Sequence, residues 1–259
     1  MSGTVRLSIR DAVATVTLCN PGKLNAMSRH MWQDLRSAFE QVHADAQVRC
    51  VVVCGEDGNF CAGGDISEYA GFRFDETSLC NFHENDVWPA LQAMLDCDVP
   101  LLAHIEGNCM GAGMEIASCC DIRLAATSAR FGAPIARLGF PMAPREAALV
   151  ARETGLTVVR QMLLEAMVFS ATEMKAAGFI SRLLADEQLA SEVQTSARRI
   201  ASLAPQAARL NKQTIRALLE VAGTVSGAGS DDDQAYAYAD SAEHREGILA
   251  FLEKRKPLF

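Results

Sequence analysis

Apolar residues recur along the chain with two periods, and each change of period marks an element. Residues 5–9 and 13–18 alternate apolar with polar on either side of Arg10-Asp11-Ala12, which predicts a β-hairpin. A turn follows at Asn20-Pro21-Gly22-Lys23. Met31, Leu35, Ala38, Phe39 and Val42 then share one helical face over residues 28–46, with Ser28 placed to cap it. Residues 50–54, Cys-Val-Val-Val-Cys, are apolar without interruption, as in a strand covered on both faces. Residues 99–105 read as a second buried strand, followed by strands at 122–126 and 130–132. Helical periodicity runs over 75–96, where Trp88-Pro89 predicts a kink or a restart. It returns over 145–154, 157–166, 171–177 (stopped by Gly178), 188–203, 205–221 and 241–255. Residues 134–141 read as loop and 223–234 as linker. Strands and helices alternate to about residue 135 and the remainder is helical, so the pattern predicts an α/β core with a helical appendage.

Two glycine-rich stretches break this pattern, each directly after an apolar strand. The first is Gly55-Glu56-Asp57-Gly58-Asn59-Phe60-Cys61-Ala62-Gly63-Gly64-Asp65-Ile66, where consecutive glycines uncover backbone N–H groups and Asp65 can cap a short helix. The second runs from Ile105 to Asp121, with Gly107, Gly111 and Gly113 ahead of a helix that begins near Ala112. Such a helix start presents free N–H groups to a developing negative charge, and Glu115 falls about one turn in, within reach of the same ligand. The plainer readings are a mobile surface turn for the first stretch and a strand-to-helix connection with a capping glutamate for the second. Two such loops together favour a shared site.

Composition narrows the chemistry. The net charge of −8 disfavours nucleic acid as a partner, because phosphate binding needs a basic face. No apolar run reaches the ~18 residues that a membrane span needs, and the N-terminus lacks the apolar core of a secretory signal. Nine cysteines without CxxC spacing read as free thiols in a reducing, cytoplasmic setting. The five histidines have no metal-ligand spacing, so no metal site is expected. GxGxxG fails at Ile116, and neither a P-loop nor a GxSxG elbow occurs. Cys61 and Cys109 flank the glycine turns without a nearby histidine and read as packing thiols.

The residues 60–66, the run Gly107 to Glu115, Cys120-Asp121 and Phe131-Gly132-Ala133-Pro134 together resemble the crotonase (enoyl-CoA hydratase/isomerase) superfamily. Pro21-Gly22-Lys23-Leu24-Asn25-Ala26 resembles its early CoA-contacting segment, and residues 246–257 its C-terminal helix. The resemblance implies a crotonase-like α/β fold of ββα superhelical turns, with a core over 1–200 and a helical region over 201–259 that drives assembly into a homotrimer or homohexamer. It implies an acyl-CoA substrate, with coenzyme A entering only as part of the thioester and no separate cofactor. The thioester oxygen is expected between the N–H groups of Gly64 and Ala112, with Glu115 as acid–base group. Lys23, Leu24, Ala62, Asp65, Ile66, Gly111, Ile135, Phe251 and Lys254 are expected along the substrate and CoA site.

One departure bears on the reaction. Hydratases of this family carry a second glutamate after Phe-Gly-x-Pro, where this chain has Ile135. Arg145 and Glu146 could in principle compensate for it, but their offset from that position favours surface roles at a helix start. Hydration of a 2-enoyl-CoA through Glu115 is the leading expectation. An isomerase, decarboxylase or thioester hydrolase with one carboxylate, or a non-catalytic acyl-CoA-binding protein, stands as the alternative.

Overall fold

The computed structural model describes residues 3–223 and, beyond them, Ala242, Glu246, Glu253, Arg255 and Leu258. Phe251, Lys254 and most of the expected C-terminal helix and linker lie outside the described residues. The strands are β1 (Thr4–Arg10), β2 (Val13–Cys19), β3 (Cys50–Gly55), β4 (Leu101–Ile105), β5 (Asn108–Met110), β6 (Ile122–Ala126), β7 (Arg130–Gly132), β8 (Val168–Ser170) and β9 (Arg182–Leu184). They form a six-stranded sheet in the order β1-β2-β3-β4-β6-β9 and a three-stranded sheet in the order β5-β7-β8. The β1–β2 hairpin turns on Asp11 and Ala12, both at positive φ, the geometry of a two-residue turn that matches strand twist. From β2 onward the large sheet is parallel.

The uninterrupted apolar run of β3 is covered on both faces, as expected. Val51 and Val53 pack with Leu35 and Phe39 of α1 (Arg29–Ala44), while Cys50 and Val52 pack with Leu189, Val193 and Ala197 of α8 (Asp186–Ala201). Each fully buried Leu or Phe there contributes roughly 1.5–3 kcal/mol. Ser28 caps α1 by accepting a hydrogen bond from the Met31 N–H at 3.3 Å.

Three segments differ from expectation. Residues 75–96 restart at Trp88-Pro89 as expected, but through a π turn. They continue as α2 (Glu76–Asn81), a π turn (Phe82–Val87) and α3 (Trp88–Asp96). Pro89 lacks an N–H, and its ring crowds the carbonyl one turn back. The widened turn absorbs this, with the Trp88 N–H donating to the His83 carbonyl. Residues 134–138 form a 3-10 turn (Pro134–Leu138) instead of loop. The chain beyond residue 135 is not purely helical, since β8 and β9 add three-residue strands among α5 (Pro144–Thr154), α6 (Leu156–Leu164), α7 (Ala171–Ala176) and α8. Strands that short carry no period to detect. The last described helix, α9 (Pro205–Gly223), is tied down by Lys212 to Asp121 at 2.9 Å and Arg216 to Asp98 at 2.6 Å.

Candidate active site

The two glycine-rich loops are zipped together by backbone. Phe60 N–H donates to Glu106 O, Cys61 N–H to Asn108 O, and Met110 N–H to Cys61 O, each at 2.8 Å. Two asparagines lock the arrangement. Asn59 Oδ1 accepts from the N–H and Nδ2 of Asn108 at 3.1 and 2.8 Å. Buried Asn25 donates from Nδ2 to the Glu56 and Asn59 carbonyls, both at 2.8 Å, and accepts from the Asn20 N–H. The Ala62 N–H donates to Leu24 O at 3.0 Å, which brings the 20–27 turn alongside. The first loop is thus no mobile surface turn.

Gly64 and Ala112 line one cavity of about 330 Å³. Neither N–H donates to a carbonyl among the described residues. Gly111, at φ 46°, turns the chain into α4 (Ala112–Ser118) while its own N–H is held by Gly132 O at 2.8 Å. A side chain at position 113 would meet the Cys61 carbonyl at 2.7 Å and push α4 off the first loop. At the other end of α4, buried Arg123 donates to the carbonyls of Ala117 and Cys120 and pairs with Glu153 at 3.1 Å. This clamp carries no sequence motif, and the periodicity of β6 hides it.

Glu115 faces the same cavity. Its carboxyl makes no hydrogen bond among the described residues. Its pKa is pushed up to about 8, chiefly by burial and also by the neighbouring Glu146 charge, with Arg73 opposing both. It is therefore protonated at neutral pH. Arg73 lies 3.7 Å over the Phe140 ring and 4.5 Å over Tyr69, both cavity residues.

Glu146 corrects the sequence reading. It is 3 % exposed, not a surface residue, and it turns inward from the first turn of α5. Its Oε1 lies 3.0 Å from Nδ1 of His83, which lines the cavity from the π turn. Arg145 keeps the expected surface role, paired outside with Glu84 at 2.7 Å. Sequence reasoning missed His83 because its partner is 63 residues away.

The remaining expected positions divide into the cavity and its mouth. Ala62, Ile66, Gly111 and Ile135 line the cavity. At the mouth, Lys23 Nζ is 2.6 Å from Asp65 and 2.8 Å from the Ser67 hydroxyl. Burial alone would raise the Asp65 carboxyl, but hydrogen bonds from Lys23 and Ser67 hold it below its ordinary value. Asp65 also caps the 3-10 turn Ile66–Gly71. Leu24 and Ile66 are both exposed. Burial pushes the Cys61 thiol up to about 12 and Cys109 upward as well, as suits packing groups. Among the described residues no cluster of His, Cys, Asp and Glu could hold a metal ion, and no helix is long and apolar enough to cross a membrane.

Fold and cavity together define an α/β protein in which one protonated carboxyl faces two uncommitted backbone donors. The profile of the enoyl-CoA hydratase/isomerase family matches residues 8–259, and the chain belongs to that family of acyl-CoA-processing enzymes. Its fold is that of a solved enoyl-CoA hydratase/carnithine racemase from Magnetospirillum magneticum, with a TM-score of 0.93 and 36% identity over 99% of this chain and 95% of that one. The chain is also similar to a crotonyl-CoA hydratase of Syntrophomonas wolfei (29% identity, 98% of this chain, 96% of the relative). It is 30% identical to the mitochondrial methylglutaconyl-CoA hydratase of Mus musculus over 91% of this chain and 75% of the relative.

Proposed function

We propose that this enzyme adds water across the double bond of a 2-enoyl-CoA thioester. The observation that carries the reading is Glu115, its pKa raised by burial, in one cavity with the free N–H groups of Gly64 and Ala112. A thioester oxygen accepting from both N–H groups is stabilised as the β-carbon is attacked and negative charge moves onto it. Glu115 then delivers its proton to C2 of the enolate. Coenzyme A enters as part of the substrate, past Lys23, Leu24, Ala62, Asp65 and Ile66, and no separate cofactor takes part. The C-terminal region, Phe251 and Lys254 included, contributes to the CoA site and to a homotrimer or homohexamer. The exposed Ile215 and Leu218 of α9 support such an assembly. Nine unpaired thiols suit a reducing compartment such as the cytoplasm.

The apolar Ile135 in the cavity wall favours a second reading, in which Glu115 alone moves a proton between carbons and isomerises the double bond. Mass spectrometry on a panel of enoyl-CoAs separates the two. Hydration adds the mass of one water, whereas isomerisation leaves the mass unchanged and shifts the absorbance. A panel with neither change removes both.

A further inference from the structure

The family pattern places a second carboxylate where this chain has Ile135, yet hydration needs a base for the attacking water as well as an acid for C2. We propose that His83 is that base, with Glu146 as its positioning residue, so that a histidine–carboxylate pair replaces the missing glutamate. This inference rests on the hydratase reading and names a further residue of the same site.

Four observations carry it. His83 Nδ1 is 3.0 Å from Glu146 Oε1, and Glu146 is almost fully buried. A buried ionised carboxylate accepts only, so Nδ1 carries the proton and Nε2 is left as the basic nitrogen. His83 lines the same cavity as Glu115, Gly64, Ala112 and Ile135. Its Nε2 has no hydrogen-bond partner among the described residues, nor is it a buried orphan atom. It is therefore reachable by water, on a residue that lines the cavity. Finally, His83 sits in the π turn (Phe82–Val87), a local widening of the helix that recurs at functional sites.

The surroundings separate the two roles. Glu146 on α5 contacts His83 directly, while Glu115 on α4 and Arg73 line the same cavity. On its own turn, Glu84 is paired with Arg145, and Asp86 with Arg29 at 2.6 Å. Two carboxyls that share a buried site do not both ionise readily, and here Glu115 holds the proton. A carboxyl that can give a proton and an imidazole nitrogen that can take one then stand in one cavity, as syn addition requires. Water attacks C3 as its proton passes to His83 Nε2, and the π electrons of C2=C3 move into the thioester enolate. C2 then takes the proton of Glu115. The product has gained one water, and imidazolium and carboxylate exchange the surplus proton through solvent.

The test separates water activation from C2 chemistry. Hydration of crotonyl-CoA needs both groups, whereas exchange of the C2 hydrogens of butyryl-CoA with deuterium oxide needs only Glu115 and the two N–H groups. His83→Gln should lower kcat for hydration by ~10²–10⁴-fold with C2 exchange and KM retained. Glu146→Gln should lower kcat at least tenfold with little change in KM, and Glu146→Asp should recover part of it. Hydration by His83→Gln within threefold of wild type overturns the pair while leaving the hydratase reading intact. Equal loss of exchange and hydration overturns it too, since His83 is then a structural residue. A wild type that exchanges C2 hydrogens but adds no water to any enoyl-CoA overturns the hydratase reading itself, and the base with it.

Discussion

The cavity has two walls of different origin. The wall of Gly64, Ala112 and Glu115 is made by segments that each follow a strand, and its chemistry sits in short runs of sequence. The facing wall joins a π turn to the first turn of α5, and its polar pair spans 63 residues. The first wall uses backbone N–H groups that any residue but proline would supply, so glycines and turns reveal it. The second uses side chains whose meaning depends on which residue they meet. A missing glutamate at position 135 therefore says little about how many acid–base groups the cavity holds.

Breaking the first wall should have the larger effects. Glu115→Gln keeps shape and removes the proton, so kcat for hydration and C2 exchange should both fall by ~10²–10⁴-fold while acyl-CoA binding, measured by calorimetry, stays within a few-fold. Ala112→Pro is the cleaner probe of the donors. Proline is well accepted at the first position of a helix, and Ala112 occupies that position in α4. The change removes one N–H and should cost ~10²–10³-fold in kcat, with an unchanged circular dichroism spectrum. Activity near wild type in a folded Ala112→Pro protein would remove that N–H from the site. At Gly64 the same experiment is less clean, because a Cβ there would collide with the Tyr69 hydroxyl.

Smaller effects sharpen the comparison through stability. Asn25→Ala leaves the Asn20 N–H and the Asn59 carbonyl without their partner and takes one of two donors from the Glu56 carbonyl, at a cost of about 1–3 kcal/mol, readable in urea unfolding. Glu115 gives a pH signature. Its carboxyl titrates at about 8 in the fold against an ordinary 4.5, so across that window the native state holds a proton that the unfolded chain has released. Stability then falls as pH rises through the window and levels off above it. Glu115→Gln should abolish that decline, so its Tm should gain on wild type between about pH 5 and about pH 9. A constant Tm difference would mean that the carboxyl is not shifted.

The sequence made much of this legible where local order suffices. The β-hairpin, the Ser28 cap and the doubly buried β3 follow from period and turn residues; loop composition pointed to a shared site near Glu115, and the family resemblance supplied Gly64 and Ala112 as its donors. Asn25 and Arg123 escaped because their work is to bind backbone carbonyls brought near by folding, which no spacing encodes. Glu146 was misread for a specific reason. An acid in a first helical turn is ordinarily a solvated, dipole-matching residue, and only the packing of α5 against the π turn turns it inward. The restart at Trp88-Pro89 is legible because proline disrupts an α-helix interior, but the π turn that leads into it has no period of its own.

The most direct measurement is the protonation state of Glu115 itself. Infrared difference spectra between wild type and Glu115→Gln, taken across pH, isolate its carboxyl band. The account predicts a protonated carboxyl at neutral pH that converts to carboxylate with a midpoint near 8. A carboxylate band already complete at neutral pH would contradict it, because Glu115 would then have no proton to give to C2.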